Sequence, residues 1–172
     1  MEFRDLAEAD AELVLRWRNS ERVARFMYDN RPIQEAGHRA WLSRVIADES
    51  CRYWIVEHGG RDVGLVNIVD IDRRNGRCSW GFYLGEEDVP VSVPIAVERR
   101  IMRITFVDLG LLKLECEVLD FNARVIKLHE KLGFVREGHF REFIRREDGV
   151  FDVIRLGILK SEWEARYGAK GE

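Results

Sequence analysis

The stretch that most constrains the fold is Leu119–Phe134, LDFNARVIKLHEKLGF, because both ends of one short helix are written into it. Asn122 can cap the start, its side-chain oxygen accepting from an amide left free in the first turn. Val125, Leu128, His129 and Leu132 recur at helical spacing on one face, while Arg124, Lys127 and Lys131 fall largely elsewhere. Gly133 can supply the left-handed residue that ends such a helix, and Phe134 can pack back on its last turn. Just before it, Leu112, Leu114, Cys116 and Val118 alternate with Lys113, Glu115 and Glu117, the period of a strand. On the residues alone, the helix is as readily an ordinary capped element as a functional one.

At 172 residues, 46% hydrophobic and 34% charged, the chain has the means to bury a full core. Residues 1–167 are expected to form one domain, and 168–172 a frayed tail. The net charge of −3, with no long run of Lys or Arg, argues against a general nucleic-acid binder. No segment reaches the roughly 20 apolar residues that span a bilayer. The start, Met1-Glu2-Phe3-Arg4-Asp5, has neither the basic nor the apolar part of a secretory signal, so a cytoplasmic location is expected. Cys51, Cys78 and Cys116 are odd in number, widely spaced and outside any metal motif, and read as buried reduced thiols.

In order, Phe3–Leu6 suggests a strand. Asp10–Asn19 suggests a helix with Leu13, Val14 and Trp17 inward, followed by a short element carrying Val23, Phe26 and Met27. Gln34–Ala47 reads as a helix with Ala40, Trp41, Val45 and Ile46 inward. Tyr53–Glu57 and Asp62–Val69 form a hairpin through Gly59-Gly60, and Asn75-Gly76 predicts a second tight hairpin into Cys78–Leu84. Pro94–Leu109 reads as a long helix buried along Ile95, Val97, Ile101, Ile104 and Leu109. Phe140–Arg145 and Val150–Leu159 make a closing hairpin about Asp148-Gly149, with Trp163 and Tyr167 beyond it.

The strand, Asn122, the helix and Gly133-Phe134 together resemble the acyl-CoA segment of the GNAT acetyltransferases, and the element order matches that family across nearly the full length. The resemblance implies an α/β GNAT fold, a mixed, mostly antiparallel sheet flanked by helices, with acetyl-CoA as co-substrate. It places Asn122 and Lys127 at the cofactor, and the backbone of Gly81, Phe82 and Tyr83 at the pantetheine and the oxyanion. His129 stands where the family commonly has a Tyr that protonates the departing thiolate, and an imidazolium is a competent donor there. Glu117 and Asp70 are candidates for the base through a water. Arg16-Trp17-Arg18-Asn19, Phe26-Met27-Tyr28, His38-x-x-Trp41 and Tyr53-Trp54 look like the PseH-type enzymes, which acetylate UDP-linked 4-amino-dideoxy sugars. By that likeness the acceptor is a nucleotide-linked amino sugar met by Arg18, Asn19, Tyr28, His38 and Trp41, in a monomer or homodimer. Arg suits a phosphate through its fork of donors, and Trp or Tyr suits a ring face.

One segment departs from the family. GNAT enzymes hold the CoA pyrophosphate on a glycine-rich loop at a helix N-terminus, but Glu86–Ala96, EEDVPVSVPIA, contains no glycine. The amides of Ser92, Val93, Ile95 and Ala96 remain as donors, Pro94 supplies none, and Glu86, Glu87 and Asp88 add like charge. Three readings therefore stand: an amino-sugar acetyltransferase, a polyamine or protein N-terminal acetyltransferase, and a non-catalytic module of the same fold.

Overall fold

The computed structural model describes residues 1–168, so the expected tail lies, but for Gly168, outside the described residues. Four strands run as an antiparallel meander: β1 (Glu2–Asp5), β2 (Arg52–His58), β3 (Arg61–Asp72) and β4 (Arg77–Leu84). β5 (Lys113–Leu119) then joins β4 in parallel, and β6 (Val135–Arg146) and β7 (Gly149–Leu159) complete a seven-stranded sheet ordered β1-β2-β3-β4-β5-β7-β6. The helices are α1 (Ala11–Asn19), α2 (Glu21–Ala24), α3 (Glu35–Ala47), α4 (Ser92–Arg103), α5 (Ala123–Leu132) and α6 (Lys160–Tyr167). Among the described residues the only parallel pair is β4–β5, which needs a crossover, and α4 provides it.

Alternation along the strands separates two cores. Ile55 and Leu65 point to one face and pack with Leu6, Val14, Trp17 and Leu42 beneath α1 and α3. Trp54, Val56, Val66 and Ile68 point to the other and pack with Val97, Ile101 and Met102 of α4, Ile126 of α5 and Trp163 of α6. No helix among the described residues is long and apolar enough to cross a membrane.

Several expectations are corrected. In α3 the fully enclosed apolar residue is Leu42; Trp41 and Val45 are half-buried, while Ala40 and Ile46 face solvent. The β3–β4 connection is not the tight Asn-Gly turn: Asp72 pairs with Arg77, and the Asp72 carboxylate gathers the loop by accepting from both the backbone and the side-chain amide of Asn75. α4 starts at Ser92 and passes at Ile104–Asp108 into a π-helical turn, and its enclosed face includes Glu98. Leu112 precedes β5 and is exposed.

α5 forms as its ends require. Gly133 takes φ 111°, and the amide of Phe134 donates to the carbonyl of His129, closing the last turn. Asn122 occupies the N-cap position, but its side chain makes no capping bond.

Gly85 ends β4 where the backbone runs against the indole of Trp17, which is fully buried. A Cβ added there would lie 2.2 Å from Trp17 Cγ. Gly85→Ala should therefore lower stability by about 1–3 kcal/mol, the range for overfilling a packed site. Chemical denaturation checks this, and an unchanged midpoint would show that Trp17 can move aside.

Candidate active site

β4 and β5 are hydrogen-bonded only at Arg77↔Lys113, Cys78↔Leu114 and Ser79↔Glu115. Beyond Ser79 and Glu115 the strands diverge, leaving the backbone of Trp80–Leu84 unpaired on its β5 side. A cavity of about 1230 Å³ occupies the region, walled by Trp80–Leu84, Cys116–Leu119, the first turns of α4 and one face of α5. Gly81, Phe82 and Tyr83 thus stand where a ligand can meet main-chain polar groups that the sheet does not use.

At one end the wall is aromatic. Tyr28, Trp41, Tyr53 and Tyr83 line it together with Arg18 and His38. His38 stacks on Trp41 at 5.2 Å, and Trp41 meets Tyr53 edge-on at 5.4 Å. Burial holds the His38 imidazole below its ordinary pKa, and its Nε2 has no partner. Burial likewise pulls the Arg18 guanidinium down; Nη2 donates to the Asp29 carbonyl, and Nη1 is enclosed without a partner. Asn19 is not on this wall: its side chain donates to the carbonyl of Ile33 and accepts from its amide, so it shapes the loop instead. Tyr53 and Asn67 of the wall lie within strands, where period-two patterning gives no sign of a cavity.

Of the four residues expected to offer amides at the start of α4, only Ile95 reaches the cavity; Ser92, Val93 and Ala96 do not line it. The amide of Val93 already donates to the Pro90 carbonyl at 2.9 Å. The acidic loop is largely neutralised. Glu86 accepts from Trp17 Nε1 at 2.8 Å and from Arg16 at 3.2 Å, and Asp88 pairs with Arg61 at 2.8 Å, leaving Glu87 on the wall. On the facing helix Arg124, Lys127 and Lys131 all line the cavity. Lys127 was expected there; the spacing of Arg124, Lys127 and Lys131 puts them on one side of α5 and could have shown the other two. An apolar slot between unpaired strands with three cations along α5 fits a long ligand that carries phosphates.

His129 lines the same slot and is buried, its ring 5.2 Å from Trp80 and 5.5 Å from Phe134. Its Nδ1 lies 3.0 Å from Oε1 of Glu98, within ion-pair distance but off the axis of a hydrogen bond. Glu117 also reaches the wall, where Oε1 accepts from Arg155 at 2.7 Å and Oε2 from the Tyr28 hydroxyl at 2.8 Å. The partial burial of Tyr28, and then that bond, push its phenol far above the ordinary value, so it stays protonated. Asp70 is exposed, at a positive φ of 52° beyond the cavity, and is not brought to the site.

Asn122 lines the cavity with a side chain that caps nothing. Asn122→Ala should therefore cost only a few tenths of a kcal/mol, not the ~1 kcal/mol of a working cap. Thermal unfolding checks this, and a full 1 kcal/mol loss would restore the capping role.

The profile of an acetyltransferase (GNAT) domain matches residues 1–135. A prophage-derived N-acetyltransferase of Bacillus subtilis (strain 168), YokL, is 33% identical over 132 residues, covering 76% of this chain and 73% of the relative. The spermidine N(1)-acetyltransferase of Escherichia coli (strain K12) is 25% identical, covering 100% of this chain and 92% of the relative. The structure of a spermidine N-acetyltransferase from Vibrio cholerae in complex with CoA and spermine superposes with a TM-score of 0.87 at 23% identity, covering 94% of this chain and 96% of that one. Acetyltransferase PseH of Campylobacter jejuni (strain 81-176) matches at 24% over 82% of the chain, level with the spermidine enzymes, so the narrower likeness read from the sequence does not single out a subfamily. The profile match and the fold agree: the chain belongs to the GNAT acetyltransferase family and is an acetyl-CoA-dependent N-acetyltransferase.

Proposed function

We propose that the acceptor is a small polyamine, acetylated on a primary amine. This replaces the nucleotide-linked sugar as the leading acceptor. The E. coli spermidine enzyme aligns with the chain from end to end, and the Vibrio cholerae structure is a complex with CoA and spermine. The observation that carries the reading is one continuous cavity running from the cations of α5 to the rings of Trp41 and Tyr53. Those rings offer faces to an alkylammonium, worth about 0.5–2 kcal/mol each; Glu117 and Asp29 line the same wall, the Asp29 carboxylate being paired with Arg31.

Acetyl-CoA supplies the activated acyl group. The main-chain groups of Gly81, Phe82 and Tyr83 hold the thioester in the slot, and an N–H turned toward its carbonyl oxygen stabilises the charge that develops there. Asn122 meets the pantetheine, and Arg124, Lys127 and Lys131 take the phosphates that the glycine-free loop serves poorly. His129 gives a proton to the sulfur, and Glu117, held by Arg155 and Tyr28, receives the amine's proton through a water. The free, buried thiols of Cys51, Cys78 and Cys116 support a cytoplasmic site of action.

Arg18 favours a second reading. A half-buried guanidinium with Nη1 enclosed and unpartnered repels a polycation and suits an acceptor that carries an anion, such as a nucleotide-linked amino sugar. Turnover of spermidine, spermine and a UDP-4-amino sugar with acetyl-CoA separates the two, and activity on the sugar alone would overturn the polyamine reading. Arg18→Met should lower KM for spermidine about tenfold by removing a like charge. With an anionic acceptor the same change should raise KM instead. Replacing Lys127 and Lys131 together by Ala should raise KM for acetyl-CoA about tenfold with kcat little changed. An unchanged KM would return the phosphates to the α4 loop.

A further inference from the structure

Glu98 is unexplained by packing. It sits in the middle of α4 at 0% exposure, surrounded by apolar core, and neither carboxylate oxygen makes a hydrogen bond. An isolated buried carboxylate costs several kcal/mol unless a cation compensates it. Among the described residues its one ion-pair partner is His129 Nδ1, at 3.0 Å. The rings of Trp80, Phe82 and Phe134 surround the imidazole, and the nearby Cys116 thiol is held neutral by burial, with Glu98, Glu117 and Glu115 adding to the effect.

We infer that Glu98 is a positioning residue for proton delivery by His129, resting on the reading of His129 as the acid. Nδ1 and Oε1 face each other at 3.0 Å. The carboxylate faces Nδ1, leaving Nε2 as the nitrogen that serves the cavity, and supplies the counter-charge that a proton-donating imidazolium needs in an apolar site. In the transfer step the amine nitrogen bonds to the thioester carbonyl carbon and the carbon–sulfur bond breaks. The electron pair of that bond goes to sulfur, which takes the proton from Nε2; the amine's proton leaves through Glu117 to solvent, and solvent reprotonates the imidazole. Substrate need only draw Nδ1 and Oε1 into line for the contact to become a hydrogen bond, a tightening common to catalytic pairs on binding. The neighbouring backbone makes this a matter of side-chain rotation only, since α4 and α5 are both regular helices at these positions.

The test combines kinetics with a readout that needs no turnover. Glu98→Gln should lower kcat with acetyl-CoA by about 10- to 100-fold while KM for acetyl-CoA stays within about twofold. His129→Phe should fall as far or further, and the double variant should be no slower than His129→Phe alone, because the two residues act through one proton. A purely structural Glu98 predicts losses that multiply in the double variant and a KM that drifts with stability. In parallel, ¹⁵N spectra of the imidazoles should show His129 protonated on both Nδ1 and Nε2 in the wild type and a changed tautomer or charge state in Glu98→Gln. Identical His129 spectra in the two proteins, or an unchanged kcat, would overturn the pairing. If Glu98→Gln does not fold, Glu98→Asp keeps the charge and withdraws it by one methylene; it should lower kcat with KM held, and an unaltered kcat is again fatal to the idea. Wild-type protein that acetylates no amine would fail the functional reading, while the spectra would still decide whether Glu98 sets the state of His129.

Discussion

The site depends on a sheet that begins to close and then stops. Three residue pairs join β4 to β5, and the remainder of both strands runs apart. Every unpaired main-chain group in that gap would be a liability in a dry core, so the gap is stable only as a place where solvent or a ligand satisfies it. On either side, the β3–β4 pairing runs unbroken from Gly64↔Leu84 to Val69↔Ser79 and the β5–β7 pairing from Lys113↔Leu159 to Leu119↔Val153, and these back the two edges. The opening is therefore a fixed feature of the scaffold, and the helices α4 and α5 have only to roof it.

Charge is distributed to suit that geometry. The carboxylates at the start of the α4 loop are engaged by Trp17, Arg16 and Arg61, which removes most of the like charge that the sequence places beside a phosphate site. The cations of α5 remain on the cavity wall. On the acceptor side Arg146 stacks on Phe151 at 4.2 Å and donates to the carbonyls of Arg25 and Met27, fastening the segment that carries Tyr28. Tyr28 in turn bonds Glu117 on β5, so the acceptor wall is tied to the sheet at two points.

The sequence makes the helix ends readable because a left-handed residue and an N-cap leave few alternatives: Gly133 behaves as its position demands. Asn122 shows the limit of that logic. Its residue type marks the boundary correctly, yet the side chain is free, since an N-cap preference describes a population of helices and not one hydrogen bond. Asn19 and Asp70 failed for a different reason: both are polar residues near functional motifs, and only tertiary placement shows one bonded within its own loop and the other turned to solvent. Glu98 carries no signal at all, because a lone acid within an amphipathic helix is read as part of its wet face. Ile46 is the converse, an apolar residue at a plausible spacing that the helix leaves exposed.

The hydrogen bond from Trp17 Nε1 to Glu86 has a wider reach than its length suggests. Trp17 anchors α1, which carries Arg18 to the aromatic end of the cavity, and Glu86 begins the loop that leads into α4, whose Pro94 and Ile95 line the same cavity. One rigid indole thus welds the two halves of the recognition surface together. A lineage drifting toward a new acceptor by remodelling α1 would disturb its grip on the donor at the same time. On the proposed assignment, changes of acceptor and of donor are coupled through α1, whereas α3, whose cavity-lining residues Gly37, His38 and Trp41 form no hydrogen bond to that loop, can be remodelled without that cost.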